Sequence, residues 1–240
     1  MQNENRFESC PVLLEMLATH RAIGKSGRLF EDLGALSTPN NLAILRALMA
    51  YLRPAKTLEI GLSFGGSALV FTSSHRDHGA PPAAQHLALD PFQETVWDSC
   101  GLMAVERAGL SGYLNFRAAF SAVELPKLFE QGQRYDLVYV DGSHLFEDVF
   151  VDAYFAGRLL NQGGVVAFDD CQKPHVAKVI RFLRRSLAGA LEEMDLSPFR
   201  ADAGKSLKYR IARMAGRTQM TAFRRIGDPE RAWDAPFVDF

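Results

Sequence analysis

The sequence has few cysteines, no long apolar run and almost no net charge. It has three cysteines, Cys10, Cys100 and Cys171, which are far apart and do not have the spacing of metal ligands. An odd number of separated cysteines indicates a reducing compartment. No apolar stretch reaches the roughly 18 residues of a membrane-spanning helix. The polar segment 1–5 does not resemble a signal peptide. We therefore expect a cytoplasmic protein without a membrane partner.

The formal net charge of -1 gives the molecule no overall field that would attract nucleic acid. One region departs from this balance, because residues 198–225 contain eight lysines and arginines against the single acid Asp202. A solvated surface is the simplest interpretation. The alternative is a surface for an anionic substrate or carrier. Nucleic acid is not the expected partner, since few aromatic residues lie among the basic ones.

The chain is organised as an alternation of strand-like and helix-like segments. Strands are predicted at 57–60, 86–89, 113–117, 136–140 and 164–168, with helices near 66–76, 94–108, 121–131 and 146–160. A further helix is predicted at 176–187, and strands at 190–196 and 218–226. This pattern predicts an α/β protein with a Rossmann-like, doubly wound, mostly parallel seven-stranded sheet and helices on both faces.

The first 55 residues form a separate helical pattern. Apolar residues recur at helical spacing from Val12 to Leu17, and Thr38 with Pro39 gives a helix cap followed by proline at the first position. We expect residues 1–55 to be an N-terminal helical extension that serves as a lid or a homodimer contact. Residues 56–240 would then form the main domain.

The first predicted strand ends in a glycine-rich turn, Gly61-Leu-Ser-Phe-Gly65, that leads into a helix. A strand, a glycine turn and a helix bring backbone close to a charged ligand at the helix N-terminus. The spacing differs from that of dinucleotide-binding folds. Glu59, before the turn, would repel a pyrophosphate and suits a cationic amino group. Ser63 lies in the turn, and Ser67 could bind a carboxylate or could simply cap the helix.

The next two strands also end in polar residues. Asp90 follows the second strand, where an acid can accept both hydroxyls of a ribose, although it could instead cap a helix. Phe92 is a candidate to flank an adenine ring. Ser121 follows the third strand and is either a ligand contact or a helix cap, and Phe120 precedes it.

Acids and a histidine follow the fourth and fifth strands. Asp141 and His144 lie in Asp-Gly-Ser-His after one strand, and Asp169 and Asp170 follow the next. Because neighbouring parallel strands end at the same edge, the three aspartates should converge. They would repel one another unless a cation joined them. Their oxygen ligands suit Mg²⁺.

These motifs resemble class I S-adenosylmethionine (SAM)-dependent methyltransferases. The stretch from Glu59 to Ser67 is similar to their first motif. The Asp-Gly-Ser-His run and the final Asp-Asp resemble the small-molecule O-methyltransferases of the catechol and caffeoyl-CoA type and of methyltransferase family 24. This likeness covers residues 38–185. Where related enzymes carry an adenine-contacting Asp this chain has Phe120, and where catechol-type enzymes carry a lysine base it has His144.

The resemblance implies methyl transfer from SAM to the hydroxyl of a small-molecule acceptor. It places SAM against Glu59, Gly61, Ser63, Gly65, Ser67, Asp90, Phe92, Ser121 and Asp141. Asp141, Asp169 and Asp170 would bind Mg²⁺, with His144 as the base. Alternatives are a metal-independent methyltransferase that uses His144 alone, a non-catalytic binding module of the same fold, and a nicotinamide or nucleotide-sugar enzyme.

Overall fold

A computed structural model of the chain describes residues 6–240. The segment 1–5, which we expected not to be a signal sequence, lies outside the described residues. The chain divides into two compact units. The first runs to Phe120 and also includes Phe199–Ala203, and the second contains Ser121–Pro198 and Gly204–Phe240.

The first unit begins with helices and a short hairpin. Helix α1 spans Pro11–Thr19, strands β1 (Ala22–Ile23) and β2 (Leu29–Phe30) pair antiparallel, and helix α2 spans Pro39–Leu52. The Thr38 side chain accepts a hydrogen bond from the Asn41 backbone, so the predicted cap of α2 is confirmed. The hairpin was not predicted, because two-residue strands leave no periodic pattern. The proposed boundary at residue 55 stays a prediction.

The first unit continues into three parallel strands of the seven-stranded sheet. Its elements are β3 (Thr57–Ile60), α3 (Gly66–Asp77), β4 (His86–Leu89), α4 (Cys100–Arg107) and β5 (Leu114–Arg117). Strand β4 lies in the middle, between β3 and β5. Every residue of β3 and β4 is buried, as expected for parallel strands covered on both faces. Their carboxyl ends therefore lie side by side.

The second unit contains the remaining elements. They are α5 (Ser121–Glu130), β6 (Tyr135–Val140), α6 (Phe146–Leu159), β7 (Leu160–Phe168), α7 (Pro174–Ser186), β8 (Leu191–Glu193), α8 (Leu207–Met214) and β9 (Thr221–Arg225). Strands β6 and β7 are parallel, whereas β9 pairs antiparallel with both β7 and β8.

The predicted Rossmann-like α/β fold with seven strands in a mostly parallel sheet is confirmed. Two details differ from the prediction. Helix α4 begins only at Cys100, because Asp98 and Ser99 adopt left-handed backbone conformations with φ of 45° and 56°. Helix α8 was not predicted, although Leu207, Ile211 and Met214 recur at helical spacing. Among residues 6–240, no helix is long and apolar enough to cross a membrane.

Asp152 is an acid in the interior of the second unit. It lies on α6, is almost completely buried, and neither carboxylate oxygen makes a hydrogen bond of good geometry within residues 6–240. Burial raises the pKa of Asp152 to about 7, with a smaller contribution from Asp148, while the nearby Ser121 hydroxyl opposes the rise. The folded protein therefore binds a proton at Asp152 more strongly than the unfolded chain does.

We expect this proton to make stability fall as pH rises. The contribution of Asp152 is favourable near pH 4 and is lost as pH rises toward 7, by as much as about 4 kcal/mol for a fully buried group. Asp152→Asn removes the titration and keeps the size of the side chain. In thermal denaturation, the melting temperature of the variant minus that of the wild type should increase as pH is raised from 5 to 8. A difference that stays constant across this range would contradict the assignment.

Candidate functional site

The glycine turn in the first unit joins β3 to α3. Gly61 and Gly65 have φ of 94° and 84°, a region that favours glycine, and Gly65 is the residue directly before α3. Leu62, Ser63 and Phe64 lie between them. The turn therefore places backbone amides at the N-terminus of a helix, where an anionic group is favoured.

Gly65 also packs tightly against α4. A Cβ atom at Gly65 would lie 2.8 Å from the Cα atom of Gly101, and a Cβ atom at Gly101 would lie 2.7 Å from the Ser63 carbonyl oxygen. Both distances are too short for any side chain. The glycine turn was predicted to bring the backbone at Gly65 close to a ligand, and Gly101 was not predicted to have a role. The structure assigns at least part of the room at Gly65 to helix packing.

Asp90 holds the turn in place. Its Oδ2 accepts hydrogen bonds from the backbone amides of Leu62 and Ser63 at 3.2 and 2.9 Å and from Nε2 of Gln93 at 3.0 Å. Its Oδ1 accepts from the Phe92 amide at 2.8 Å. The carboxylate thus ties the end of β4 to the end of β3. Gln93 also donates to the Ser63 carbonyl at 2.7 Å, a role that the sequence did not reveal.

Glu59 lies below this turn and not at its surface. Its side chain is completely buried, with Oε1 3.2 Å from Nε2 of His86. His86 in turn contacts the Thr57 hydroxyl through Nδ1 at 2.9 Å and stacks on Phe71. The predicted contact between Glu59 and a ligand amino group gains no support from this position and stays a prediction.

The remaining predicted cofactor residues of the first unit lie around the turn. Ser67 is buried in the first turn of α3, and the Ser63 hydroxyl donates to the Ala35 carbonyl at 3.3 Å. Phe92 and Phe120 are both exposed and meet edge to face at 5.7 Å between ring centroids. An exposed aromatic pair after β4 and β5 is suited to a flat ring such as adenine.

A second group of polar residues lies in the second unit, after β6 and β7. The Tyr139 hydroxyl lies 2.6 Å from Oδ2 of Asp169 and 3.1 Å from Oδ2 of Asp141. Asp169 is buried, and its Oδ1 accepts from the Asp170 amide at 2.6 Å. Asp169 therefore points to Tyr139 and to its own turn. Tyr139 was missed by sequence analysis, although it precedes Asp141 on the same side of the strand.

Asp170, His144 and Lys173 form a compact cluster. Nε2 of His144 and Nζ of Lys173 lie 2.7 and 2.6 Å from Oδ2 of Asp170, and Nζ of Lys173 is 3.1 Å from Nδ1 of His144. These two partners hold the pKa of the Asp170 carboxyl well below its usual range, so it is charged at neutral pH. Asp170 has a left-handed backbone, with φ of 54°, which turns it away from Asp169. Lys173 was not predicted.

The predicted metal site differs from the observed arrangement. The residues that bring ligand atoms within 4.8 Å of one another are Asp141, His144 and Asp170. Asp169, which we expected in this set, is replaced by His144 because its carboxylate is turned to Tyr139. Two carboxylates and an imidazole can bind a divalent ion, but they suit Mg²⁺ less well than an all-oxygen set. The Lys173 ammonium already contacts two of these three residues.

Ser121, the remaining predicted cofactor residue, is the first residue of α5. Its hydroxyl lies near Asp152 on α6. The capping role and the contact with SAM that the sequence left open for Ser121 both stay predictions.

Comparison with known proteins agrees with this geometry. Residues 58–171 match the family model Methyltransf_24, described as a methyltransferase domain. This segment contains the glycine turn and the acids Glu59, Asp90, Asp141, Asp169 and Asp170. This match, over somewhat less than half of the chain, agrees with the resemblance to class I SAM-dependent methyltransferases. No curated protein matches the chain.

Solved structures share the fold at low sequence identity. One is the O-methyltransferase TomG from Streptomyces achromogenes, involved in tomaymycin synthesis and in complex with SAM, with a TM-score of 0.64, 16% identity and 90% of each chain covered. Another is cofactor-bound Rv0187 from MTB, with a TM-score of 0.61, 16% identity and 91% of each chain covered. An O-methyltransferase from Bacillus cereus in complex with SAH has a TM-score of 0.61 and 13% identity, covering 92% of this chain and 91% of that one.

The four hydrogen bonds of Asp90 lead to a prediction about both stability and binding. Asp90→Ala should cost about 1–3 kcal/mol of folding stability, because buried backbone amides lose their acceptor. It should also weaken SAM binding, since the turn loses its support. Thermal denaturation and calorimetry check the two effects. The control is Asp228→Ala, which removes a carboxylate from an exposed turn. An Asp90→Ala variant as stable as the wild type would contradict the structural role.

Proposed function

We propose that this protein transfers the methyl group of SAM to a hydroxyl oxygen of a small-molecule acceptor. The match of residues 58–171 to a methyltransferase domain is the observation that carries this proposal. The shared fold of SAM-bound and SAH-bound O-methyltransferases supports it further. The acceptor would contact the cluster of Asp170, His144 and Lys173 in the second unit.

The first unit would supply the cofactor contacts. The amides at the start of α3 would face the SAM carboxylate, as helix N-termini favour anionic groups. Phe92 and Phe120 would flank the adenine. The Asp90 carboxylate already accepts four hydrogen bonds from the protein. Its main role would therefore be to hold the turn in shape and not to bind the ribose.

His144 would be the base that takes the acceptor proton. Its Nε2 donates to Asp170, which fixes the ring and leaves Nδ1 as the acceptor atom. Asp170 is charged at neutral pH and so stabilises the imidazolium that forms. When the acceptor enters, the Lys173 ammonium would shift from Nδ1 of His144 to the acceptor oxygen. There it would stabilise the negative charge that develops before methyl transfer.

This arrangement favours the metal-independent form of the reaction. Lys173 brings a positive charge within 2.6 Å of Asp170, where a divalent ion would otherwise neutralise the carboxylates. Binding an ion to Asp141, His144 and Asp170 would require Lys173 to move away. The second candidate is the metal-assisted form, which the closeness of these three ligands favours. In that form the ion would make the acceptor hydroxyl more acidic.

The base assignment is tested with His144→Gln. Wild-type protein should bind SAM and SAH in calorimetry and should not bind NADH. His144→Gln should bind SAM as tightly as the wild type, yet lose about 10²–10⁴-fold in turnover, since the proton has no acceptor. Turnover is measured as SAH released with a panel of phenols, catechols and hydroxy acids.

A matched control is His175→Gln, because His175 accepts a hydrogen bond from the Phe146 amide and lies outside the cluster. This control should keep its turnover. Binding of NADH without binding of SAM would end the methyltransferase proposal. Full turnover in His144→Gln would remove only the base assignment.

The role of Lys173 is tested by chelation and by Mn²⁺ binding. Wild-type turnover should persist in excess chelator. Lys173→Met should lower turnover and should raise the affinity for Mn²⁺, because Asp170 loses its positive neighbour. Electron paramagnetic resonance of Mn²⁺ reports this binding without any substrate.

Lys127→Met is the control for Lys173→Met, since it removes an exposed lysine that pairs with the buried Glu124 in the same unit. It should leave Mn²⁺ binding unchanged. Loss of wild-type turnover in chelator, restored by a divalent ion, would establish the metal-assisted form instead.

A further inference from the structure

Helix α8 lies on the second unit through polar contacts. Nη2 of Arg213 is 3.0 Å from Oδ2 of Asp195, and its Nη1 donates to the Ser197 hydroxyl at 3.0 Å. The Ser197 hydroxyl also contacts the Tyr209 hydroxyl at 3.4 Å, and Ser206 caps the helix. None of the residues Leu207–Met214 is buried. The helix is thus held on the protein by its polar side.

The opposite side of α8 is apolar and faces solvent. Leu207, Ile211 and Met214 are 68%, 59% and 89% exposed. Their spacing of four and three residues places them on one face of the helix. A helix on a protein surface normally turns its apolar face to the core. This one is reversed, and a continuous exposed apolar face of this kind marks an interaction site.

Basic residues flank the apolar face on both sides. Lys208 and Arg210 lie next to it around the helix, and Lys205 and Arg217 lie beyond its two ends. All four are exposed, and within residues 6–240 their side chains have no acidic partner. Residues 198–225 carry a net charge of +7, which leaves −8 for the rest of the chain. Four of these positive charges, those of Lys205, Lys208, Arg210 and Arg217, therefore lie around one exposed apolar stripe.

We propose that α8 binds the surface of a bilayer that contains anionic lipids. Its apolar face would enter the boundary between headgroups and acyl chains, and the flanking lysines and arginines would contact lipid phosphates. A membrane is favoured over a protein partner because the cations lie on both flanks and at both ends. They therefore surround the apolar face in the plane where lipid headgroups would lie.

This inference goes beyond the proposed function and does not depend on it. It also revises the sequence-based expectation of no membrane partner, which rested on the lack of a spanning segment. An amphipathic helix lies in the interface and needs no such segment. The acidic remainder of the chain would keep the rest of the surface away from the bilayer.

The test is cosedimentation of the full-length protein with lipid vesicles. Vesicles of phosphatidylcholine with about 30% phosphatidylglycerol should bind the protein, and vesicles of phosphatidylcholine alone should bind it much less. Each basic residue near an anionic surface strengthens binding by about fivefold. Binding should weaken as salt is raised.

Two variants separate charge from apolar contact. Lys208→Glu with Arg210→Glu should reduce binding to anionic vesicles by at least about tenfold. Leu207→Ala, Ile211→Ala and Met214→Ala together should also reduce it, and alanine preserves the helix. The charge control is Lys25→Glu with Arg181→Glu, which changes net charge equally at exposed positions outside residues 198–225. Circular dichroism checks that every variant is folded.

The inference is supported if both α8 variants lose binding and the control keeps it. It is overturned if wild-type protein binds the two kinds of vesicle equally, or if the α8 variants bind as the wild type does. It is also overturned if those variants alter only self-association in analytical ultracentrifugation, because the apolar face would then serve a second copy of the chain.

Discussion

The hydrogen bonds of the Asp90 carboxylate are the constraint on which the first unit depends. A parallel sheet brings the ends of β3 and β4 together, but a glycine-containing turn has many accessible conformations. One buried carboxylate with donors from Leu62, Ser63, Phe92 and Gln93 selects a single conformation. The direction of α3, and with it the position of any group bound at its N-terminus, follows from that selection.

The cluster of the second unit follows another rule, which is that neighbouring carboxylates need positive charge or protons beside them. Here the chain provides both from its own side chains. Tyr139 places its hydroxyl between Asp141 and Asp169, while Lys173 and His144 lie against Asp170. A lysine is permanently attached, whereas a metal ion exchanges with solution. Activity that rests on Lys173 would not depend on the supply of metal.

Sequence patterns identified the sheet and the residues at the ends of its strands, because burial and alternation leave a periodic signal. They did not show where those side chains point. Asp169 and Asp170 are adjacent in sequence, but the left-handed φ of Asp170 turns one toward Tyr139 and the other toward His144. Lys173 follows Asp170 by three residues, a spacing at which two side chains can meet. This spacing could have been used to predict their ion pair. Helix α8 was also missed, although Leu207, Ile211 and Met214 recur at helical spacing among basic residues.

The close approach of Gly65 and Gly101 has a consequence for attempts to redesign the protein. Alanine in place of glycine within a helix normally favours folding. At Gly101 the added methyl group would overlap the Ser63 carbonyl, and at Gly65 it would overlap the backbone of α4. A library that treats positions independently would discard every change at either site. The two glycines can therefore be substituted only together. A side chain at either position would require α4 to move away from the glycine turn.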